Sequence, residues 1–391
     1  MGCGTIEGIR VASKSCGTKE TGRDLAIWVA DGPCQAAGVF TQTSMPSYAV
    51  TSNRRKIAGD VQAILVSAGV ANVFTGAEGE QDADEIVAHA ADELGIPQES
   101  VLFFTTGFIG SRLPVDAIKA SLSGIADELA DDDEQAARAI MTTDTVSKTV
   151  QVKVSTSVGD VTIGATAKGS GMVNPNMATL LCFVSTDAAI SHDVLQPMLK
   201  RCVDRSLNMV AIDNDTAFSD SCVMLATGAV KVRERDHEAV ESGLLDCLTQ
   251  VARLIAMDGE GSTRMFEVQV TGGLTEEDAR KVAKSIASSM LVKTAVFGED
   301  PNVGRVLCAA SYAGAKLDEK RLAVSVVHDD LQIPMVKDGV VLSYDRRKAA
   351  AVMKSDCPVF VLELGMGEGA ATAFGCDLTD QYVSINADFP T

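Results

Sequence analysis

The sequence predicts a mixed α/β or α+β protein with sizeable sheets, on three observations. Helical and strand periodicities alternate along all 391 residues, which is the pattern of sheets faced by helices. Residues of the AVILMFWYC set make up 46% and charged residues 22%, so the chain can bury a large core; disorder, a collagen-like repeat and a small disulfide scaffold are excluded. No repeat of fixed period, low-complexity tract or clear linker interrupts it. At the usual ~150 residues per domain the length corresponds to two or three domains.

The elements follow in order. Val61 to Val66 is a short apolar run that reads as a strand, and Ile86, Ala90 and Leu94 recur every fourth residue as one face of a helix. Val101-Leu102-Phe103-Phe104 reads as another strand. Ile118, Leu122, Ile125 and Leu129 continue at helical spacing into the acidic stretch Asp131 to Glu134. Val150, Val152 and Val154 alternate with polar residues, and Val161 and Ile163 follow across a Gly159-Asp160 turn, which predicts a hairpin. Beyond it, helices are expected near 192–206, 239–256 and 275–289, the last opened by Thr275 with Asp278 three residues on. Strands are expected at 180–185, 222–226, 265–270, 322–327 and 357–364.

Lys plus Arg number 34 against 53 Asp plus Glu, a net charge of −19, which argues against nucleic acid and anionic membrane as partners. The longest apolar runs fall far short of the ~20 residues a membrane helix needs. The opening MGCGTIEGIR has neither the basic nor the apolar part of a secretory signal, and Ile6 stands where a myristoylation site needs Ser or Thr, so a cytoplasmic location is expected. Ten cysteines without a CxxC pair read as buried, reduced thiols. Four scattered histidines give no anchor for a zinc site or a Ser-His-Asp triad, and neither metal nor bound cofactor is expected. Gly365 to Ala370 satisfies G-x-G-x-x-A after an apolar run, but the 21 residues that follow cannot hold the second strand and ribose-binding acid of a dinucleotide site. G-x-x-x-x-G-K-[ST] and G-x-S-x-G are absent.

The most unusual stretch runs from Lys168 to Thr179, Lys-Gly-Ser-Gly-Met-Val-Asn-Pro-Asn-Met-Ala-Thr, straight into the strand at Leu180. Glycine, asparagine and proline allow backbone conformations that ordinary residues resist. If the Ala178–Thr179 bond breaks by an N-to-O acyl shift, Thr179 gains a free α-amine beside its hydroxyl and becomes a nucleophile that needs no histidine. A β-branched residue opening a strand below a glycine loop is the alternative. Thr106 and Gly107 follow the Val101–Phe104 strand, where a hydroxyl and an amide are suited to an oxyanion; a plain turn fits equally. Met141 to Thr145 and Asp258 to Arg264 each close a helix, and Glu260 between glycines is either a solvated turn acid or a carboxylate offered to a ligand. Lys293 to Arg305 reads as a strand and a turn with surface charges.

Together these segments carry a resemblance. TTGFIG, IMTTDT, AKGSGMVNPNMATLL, DGEG, LVKTAVFGEDPNVGR and CDLTDQYVSINADFPT, in that order, resemble the ornithine acetyltransferase family of arginine biosynthesis, also called glutamate N-acetyltransferase, from Gly38 to Thr391. The resemblance implies a layered sheet-and-helix sandwich in two lobes, cut between Ala178 and Thr179 into an α-chain of 1–178 and a β-chain of 179–391 that stay together, by default as α2β2. It implies Thr179 as nucleophile, Thr106 and the Gly107 amide as the oxyanion pair, and Thr142, Lys168, Thr179, Glu260, Asn386 and Thr391 as substrate contacts. Lys168 and Glu260 supply the fixed cation and anion that an amino acid needs, and Glu260 is placed to pass a proton between amines. The implied reaction moves acetyl from N2-acetylornithine to glutamate by ping-pong turnover, without metal or bound cofactor. Alternatives are a paralogue with another acyl donor or acceptor, an enzyme that also takes acetyl-CoA as co-substrate, and an uncleaved binding protein. The chain departs from the family pattern at Ser67, Val70, Val303 and Asp213 to Ser221, and ends Phe-Pro-Thr instead of Tyr-Arg-Thr.

Overall fold

The structure is a computed structural model and describes every residue except 132, 175–179 and 389–391. The elements in chain order are β1 (Ile9–Lys14), β2 (Leu25–Phe40), α1 (Tyr48–Lys56), β3 (Val61–Val70), α2 (Gly76–Leu94), β4 (Val101–Phe108), α3 (Val115–Leu122), α4 (Glu134–Ala139), β5 (Lys148–Thr156), β6 (Gly159–Lys168), β7 (Leu181–Ala188), α5 (His192–Arg205), β8 (Val210–Ala211), β9 (Ser221–Val230), α6 (His237–Met257), β10 (Met265–Gly273), α7 (Glu276–Ser288), α8 (Met290–Phe297), α9 (Val303–Ser311), β11 (Ala323–His328), β12 (Leu331–Lys337), β13 (Val340–Val341), α10 (Arg346–Met353), β14 (Val359–Glu363), β15 (Gly369–Cys376) and α11 (Asp380–Asp388).

One hydrogen-bonded path runs β4-β3-β2-β9-β7-β6-β5, with β1 added to β2. It folds over on itself through β2, whose first half pairs with β3 and whose second half pairs with β9, the register shifting between Val29 and Cys34. The two halves then lie face to face. Trp28 and Phe104 of one half meet Phe183 of the other at ring-centroid distances of 5.3 and 5.1 Å.

Strand alternation accounts for the layers, because successive side chains point to opposite faces. Trp28, Ile64, Val66, Leu102 and Phe104 join Leu181, Phe183, Val223 and Leu225 in the inner core. Their alternates Ile27, Ala63, Leu65, Val101 and Phe103 pack on α2 and α3 outside one half. Cys182, Val184, Cys222 and Met224 pack under α5 and α6 outside the other. The result is helix, sheet, sheet, helix, and the central strands β2, β3, β7 and β9 are buried on both faces along most of their length, while the edge strand β5 leaves Lys153 and Ser155 exposed. The far side of α6 meets β15 of a second sheet, ordered β13-β12-β11-β14-β10-β15-β8, whose core is continuous with that of the first. Strands from either side of position 178 alternate within one sheet: β6 pairs with β7, and β2 with β9. The segments 1–178 and 179–391 therefore share one core.

The predicted hairpin is β5–β6, paired from Thr156 opposite Gly159, and Thr275 caps α7 by accepting from the Asp278 amide at 3.1 Å. Three expectations need correction. The helix expected to reach Leu129 stops at Leu122, because Gly124 is left-handed at φ +72° and only a 3-10 turn, Ile125–Glu128, follows. The stretch from Lys293 is the helix α8, capped by the Ser289 hydroxyl, and not a strand. Its lysine is no surface charge: Lys293 is 3% exposed and donates to the carbonyls of Ala211 and Cys376, with the Phe266 ring beneath it. Gly365 to Ala370 leads into the strand β15 rather than a helix, so the dinucleotide pattern has no helix N-terminus to offer. Eight of the ten cysteines are buried free thiols; Cys308 is exposed and Cys357 half-buried. Among the described residues, no helix is long and apolar enough to cross a membrane.

Candidate active site

At the end of β6 the chain delivers Lys168 into a largely enclosed position, 7% exposed. Its ammonium donates to the Thr142 hydroxyl at 2.7 Å and lies 3.8 Å from the Asp144 carboxylate. Asp144 is fully enclosed; it accepts from the Gly169 amide and from the Lys148 ammonium, both at 2.7 Å. Lys148 also reaches Asp258 at 2.5 Å, and Asp258 in turn accepts from the Thr145 amide at 3.0 Å. Burial alone would raise the Asp144 pKa, but the charges of Lys168 and Lys148 and the Gly169 amide outweigh it and hold the group at about 2. The carboxylate is thus ionised, and it fixes both the loop that carries Thr142 and the loop that follows Lys168.

Glu260 comes to the same place from the end of α6. Its amide donates to the Ser170 carbonyl at 2.9 Å, and the Ser170 hydroxyl donates to the Asp258 carbonyl at 2.6 Å. The Glu260 carboxylate lies against Gly171, where a Cβ would come within 2.1 Å of Oε1, so a side chain there would displace the carboxylate from this position. Asn386 donates to its other oxygen at 2.9 Å. Asn386 sits on α11, whose first turn is tied down by Thr379: its hydroxyl donates to the Gly261 carbonyl and accepts from the amides of Gln381 and Tyr382. The cation of Lys168 and the anion of Glu260, which packs against Ser170 and Gly171, are therefore anchored on one short segment, 168–171.

Thr106 and Gly107 end β4, in parallel register with Ala68 and Gly69 of β3. Gly107 has φ +125°, and a Cβ there would meet the Gly69 carbonyl carbon at 2.3 Å. Gly107 is exposed near the strand end, and the ladder runs one pair further, to Val70 and Phe108. Gly107→Ala is expected to cost about 2–4 kcal/mol of stability, from left-handed strain plus the backbone clash, and to remove acyl transfer; denaturant unfolding and a transfer assay check the two effects.

Ala178, Thr179 and Thr391 lie outside the described residues. The residues that flank 175–179 are both anchored on the segment 212–221. On one side Asp213 accepts from the amides of Met172 and Val173 at 2.6 and 2.8 Å, and the Asn174 amide donates to the Asp215 carbonyl at 3.0 Å. On the other, the Leu180 carbonyl accepts from the Ser221 amide at 3.0 Å. Burial raises the Asp213 pKa despite these amides.

Thr142, Lys168, Glu260 and Asn386 are thus brought together, while Thr106 and Gly107 stand on the other half of the folded sheet. Sequence reasoning missed Lys148 and Asp213 as builders of the site. Lys148 follows Asp144 by four residues, a spacing that reads as an ordinary ion pair, and only its burial beside Asp258, 110 residues on, distinguishes it. Asp213 gave no signal beyond lying in a segment that departs from the family pattern.

Comparison with known proteins bears on this arrangement. The family model described as "ArgJ family" matches residues 10–391. A glutamate N-acetyltransferase from Methanosarcina mazei is 42% identical over 96% of this chain and 96% of its own. An arginine biosynthesis bifunctional protein ArgJ from Symbiobacterium thermophilum is also 42% identical, over 94% of this chain and 92% of its own. A crystal structure of the arginine biosynthesis bifunctional protein from Bacillus halodurans superposes with a TM-score of 0.51 at 34% identity, covering 54% of this chain and all of that one. With nearly every residue matched, from β1 to the end of the chain, and with the loops around Lys168 and Glu260 inside the match, this chain is an arginine-biosynthesis acyltransferase of the ArgJ family.

Proposed function

We propose that the chain cuts itself before Thr179 and then carries acetyl from N2-acetylornithine to glutamate on the Thr179 hydroxyl. In the cutting step the Thr179 Oγ attacks the Ala178 carbonyl, the peptide C–N bond breaks to free the Thr179 α-amine and leave an ester on Oγ, and water hydrolyses that ester to the free hydroxyl and the Ala178 carboxylate. In turnover the amine takes the hydroxyl proton as Oγ attacks the acetyl carbonyl. The Gly107 amide and Thr106 receive the developing oxyanion. Collapse expels the ornithine amine, and glutamate attacks the resulting ester to leave as N-acetylglutamate. Ornithine and glutamate share an α-carboxylate, which suits Lys168 and Thr142. Glu260, steadied by Asn386, suits an ammonium group and proton exchange between the leaving and entering amines.

The observation that carries this reading is that Glu260 is held against residues 170 and 171, just beyond Lys168, so that opposite charges matched to the two ends of an amino acid are anchored on one short segment in a protein of net charge −19. The M. mazei relative's name supports glutamate as the acceptor. The S. thermophilum relative, also 42% identical, is named a bifunctional protein, so acetyl-CoA is tested as a second donor beside acetylornithine.

Intact mass spectrometry of the purified protein tests the first half. Two fragments of about 19 and about 22 kDa are expected, scaled from 40.9 kDa over 391 residues, with Thr at the start of the larger. Labelled acetylornithine with glutamate, and acetyl-CoA with glutamate, test the second. A single full-length species that transfers acetyl refutes the threonine mechanism, and cleaved protein inactive with both donors refutes the substrates.

A further inference from the structure

We infer that the loop joining β1 to β2, residues 15–24, braces both sides of the acyl pocket at once, with Asp24, Thr18 and Lys19 as positioning residues. The inference rests on the reading of Thr106, Gly107 and Thr142 just given. It starts from a carboxylate: Asp24 has no exposed surface, and it accepts from the amides of Cys16 at 2.6 Å, Thr18 at 2.7 Å and Lys19 at 3.1 Å. Three inward amides on one buried acid give the loop a single shape. The Asp24 carbonyl accepts from the Ala68 amide at 2.8 Å, which joins that shape to the end of β3.

Two arms leave this core. In the first, the Thr18 hydroxyl donates to the Ala68 carbonyl at 2.6 Å, and the Thr18 carbonyl presses on Gly69, where a Cβ would come within 2.3 Å of it. Gly69, at φ +118°, presses in the same way on Gly107. Three backbones are stacked without a side chain between them, so a displacement of Thr18 has no soft group to absorb it before it reaches the Gly107 amide. In the second arm the Lys19 ammonium donates to the carbonyls of Ala139 at 2.9 Å and Met141 at 3.1 Å, at the C-terminal end of α4, where a cation is favoured. Met141 precedes Thr142, and the Thr142 amide is held from the other side by Asp144 at 3.1 Å. Burial lowers the Lys19 pKa, and the charges of Asp24 and Asp144 oppose that shift.

The two arms should separate in kinetics. Thr18→Val removes the tie to Ala68, and it should lower kcat about tenfold with KM within twofold, since the oxyanion donors act in the transition state. Lys19→Met keeps the stem and loses the ammonium; it should raise KM for both amino acids about tenfold with kcat within twofold, and Lys19→Arg should recover most of that loss. Both side chains are half-exposed, so folding is retained. Hydrogen exchange gives a readout independent of activity: peptides spanning 104–110 should exchange faster in Thr18→Val, and those spanning 139–145 faster in Lys19→Met, each without the reciprocal change. Kinetic constants that fall together in both variants, or exchange that is unchanged or uniformly faster, overturn the brace. Wild-type protein that fails to transfer acetyl while the exchange pattern appears as stated defeats the functional reading and leaves the brace standing.

Discussion

Thr179→Ala is expected to yield one uncut chain of 40.9 kDa with acyl transfer reduced by at least about 10³-fold, the scale on which removal of a covalent nucleophile acts. Two independent chemistries are lost together. Without Oγ there is no attack on the Ala178 carbonyl, so the N-to-O shift and the cut cannot occur; without the cut there is no α-amine to serve as base. Even an N-terminal residue supplied by other means would have nothing to acylate. Thr179→Ser separates these effects, because it keeps the hydroxyl and loses only the methyl group that restricts its rotamer; slower cutting followed by measurable transfer is expected. The fold should not change, because the flanks of 175–179 are held by Asp213, Asp215 and Ser221 and the strands on either side are already paired in one sheet. Intact mass, thermal melting and the acetylornithine assay on both variants give the result. Thr179→Ala protein that is cut and active removes Thr179 from the chemistry altogether.

Much of this architecture is legible in the sequence because single-residue periodicity encodes it. β7 reads Leu-Cys-Phe-Val, and both its faces are apolar because one packs on Trp28 and the other beneath α6; a doubly buried strand has to appear as a continuous apolar run. What the sequence hides are the facts that depend on distant pairings. That β2 serves two sheet halves cannot be read from its sixteen residues, since the fold-over follows from which partners bind each half. Lys293 looked like a strand residue with a surface charge because Leu-Val-Lys-Thr-Ala-Val-Phe has no polar face. It becomes intelligible only when β8 and β15 bring two carbonyls to its ammonium. The site divides in the same way. Lys168, Glu260 and Gly107 stand in glycine-rich segments that packing alone does not require, and so attract notice. Asp144, Lys148 and Asp258, which hold the loops of Lys168 and Glu260, are ordinary letters until a charge separated by 110 residues arrives beside them.

Those three side chains carry the largest expected effect on stability. Lys148 is completely enclosed between two carboxylates, and replacing it with methionine keeps the stem while leaving Asp144 and Asp258 without their shared cation. Removing one partner of a buried ionic cluster costs about 3–5 kcal/mol, far more than the cluster's net worth, because an uncompensated charge remains. Lys148→Met is therefore expected to unfold at markedly lower denaturant, and to bind the amino-acid substrates more weakly as Asp144 loosens Thr142 and Gly169. The pH dependence identifies the cause. In the wild type Asp144 is held at about 2, below its ordinary value near 3.8, so its contribution is complete above the ordinary value and is lost as the pH falls towards 2. At 1.36 kcal/mol per pKa unit that contribution is about 2 kcal/mol. In Lys148→Met one of the two cations that lower the group is gone, so the variant has less of this term to lose on acidification. The stability gap between the two proteins should be widest near neutral pH and narrow as the pH is lowered through 4 and below, measured by urea unfolding at a series of pH values. A gap that is constant with pH would mean that the loss comes from packing and not from the stranded carboxylates. The double variant Asp144→Asn with Lys148→Met, which removes one of the two stranded charges, should then recover no stability over Lys148→Met alone, whereas the electrostatic account requires that it recover part.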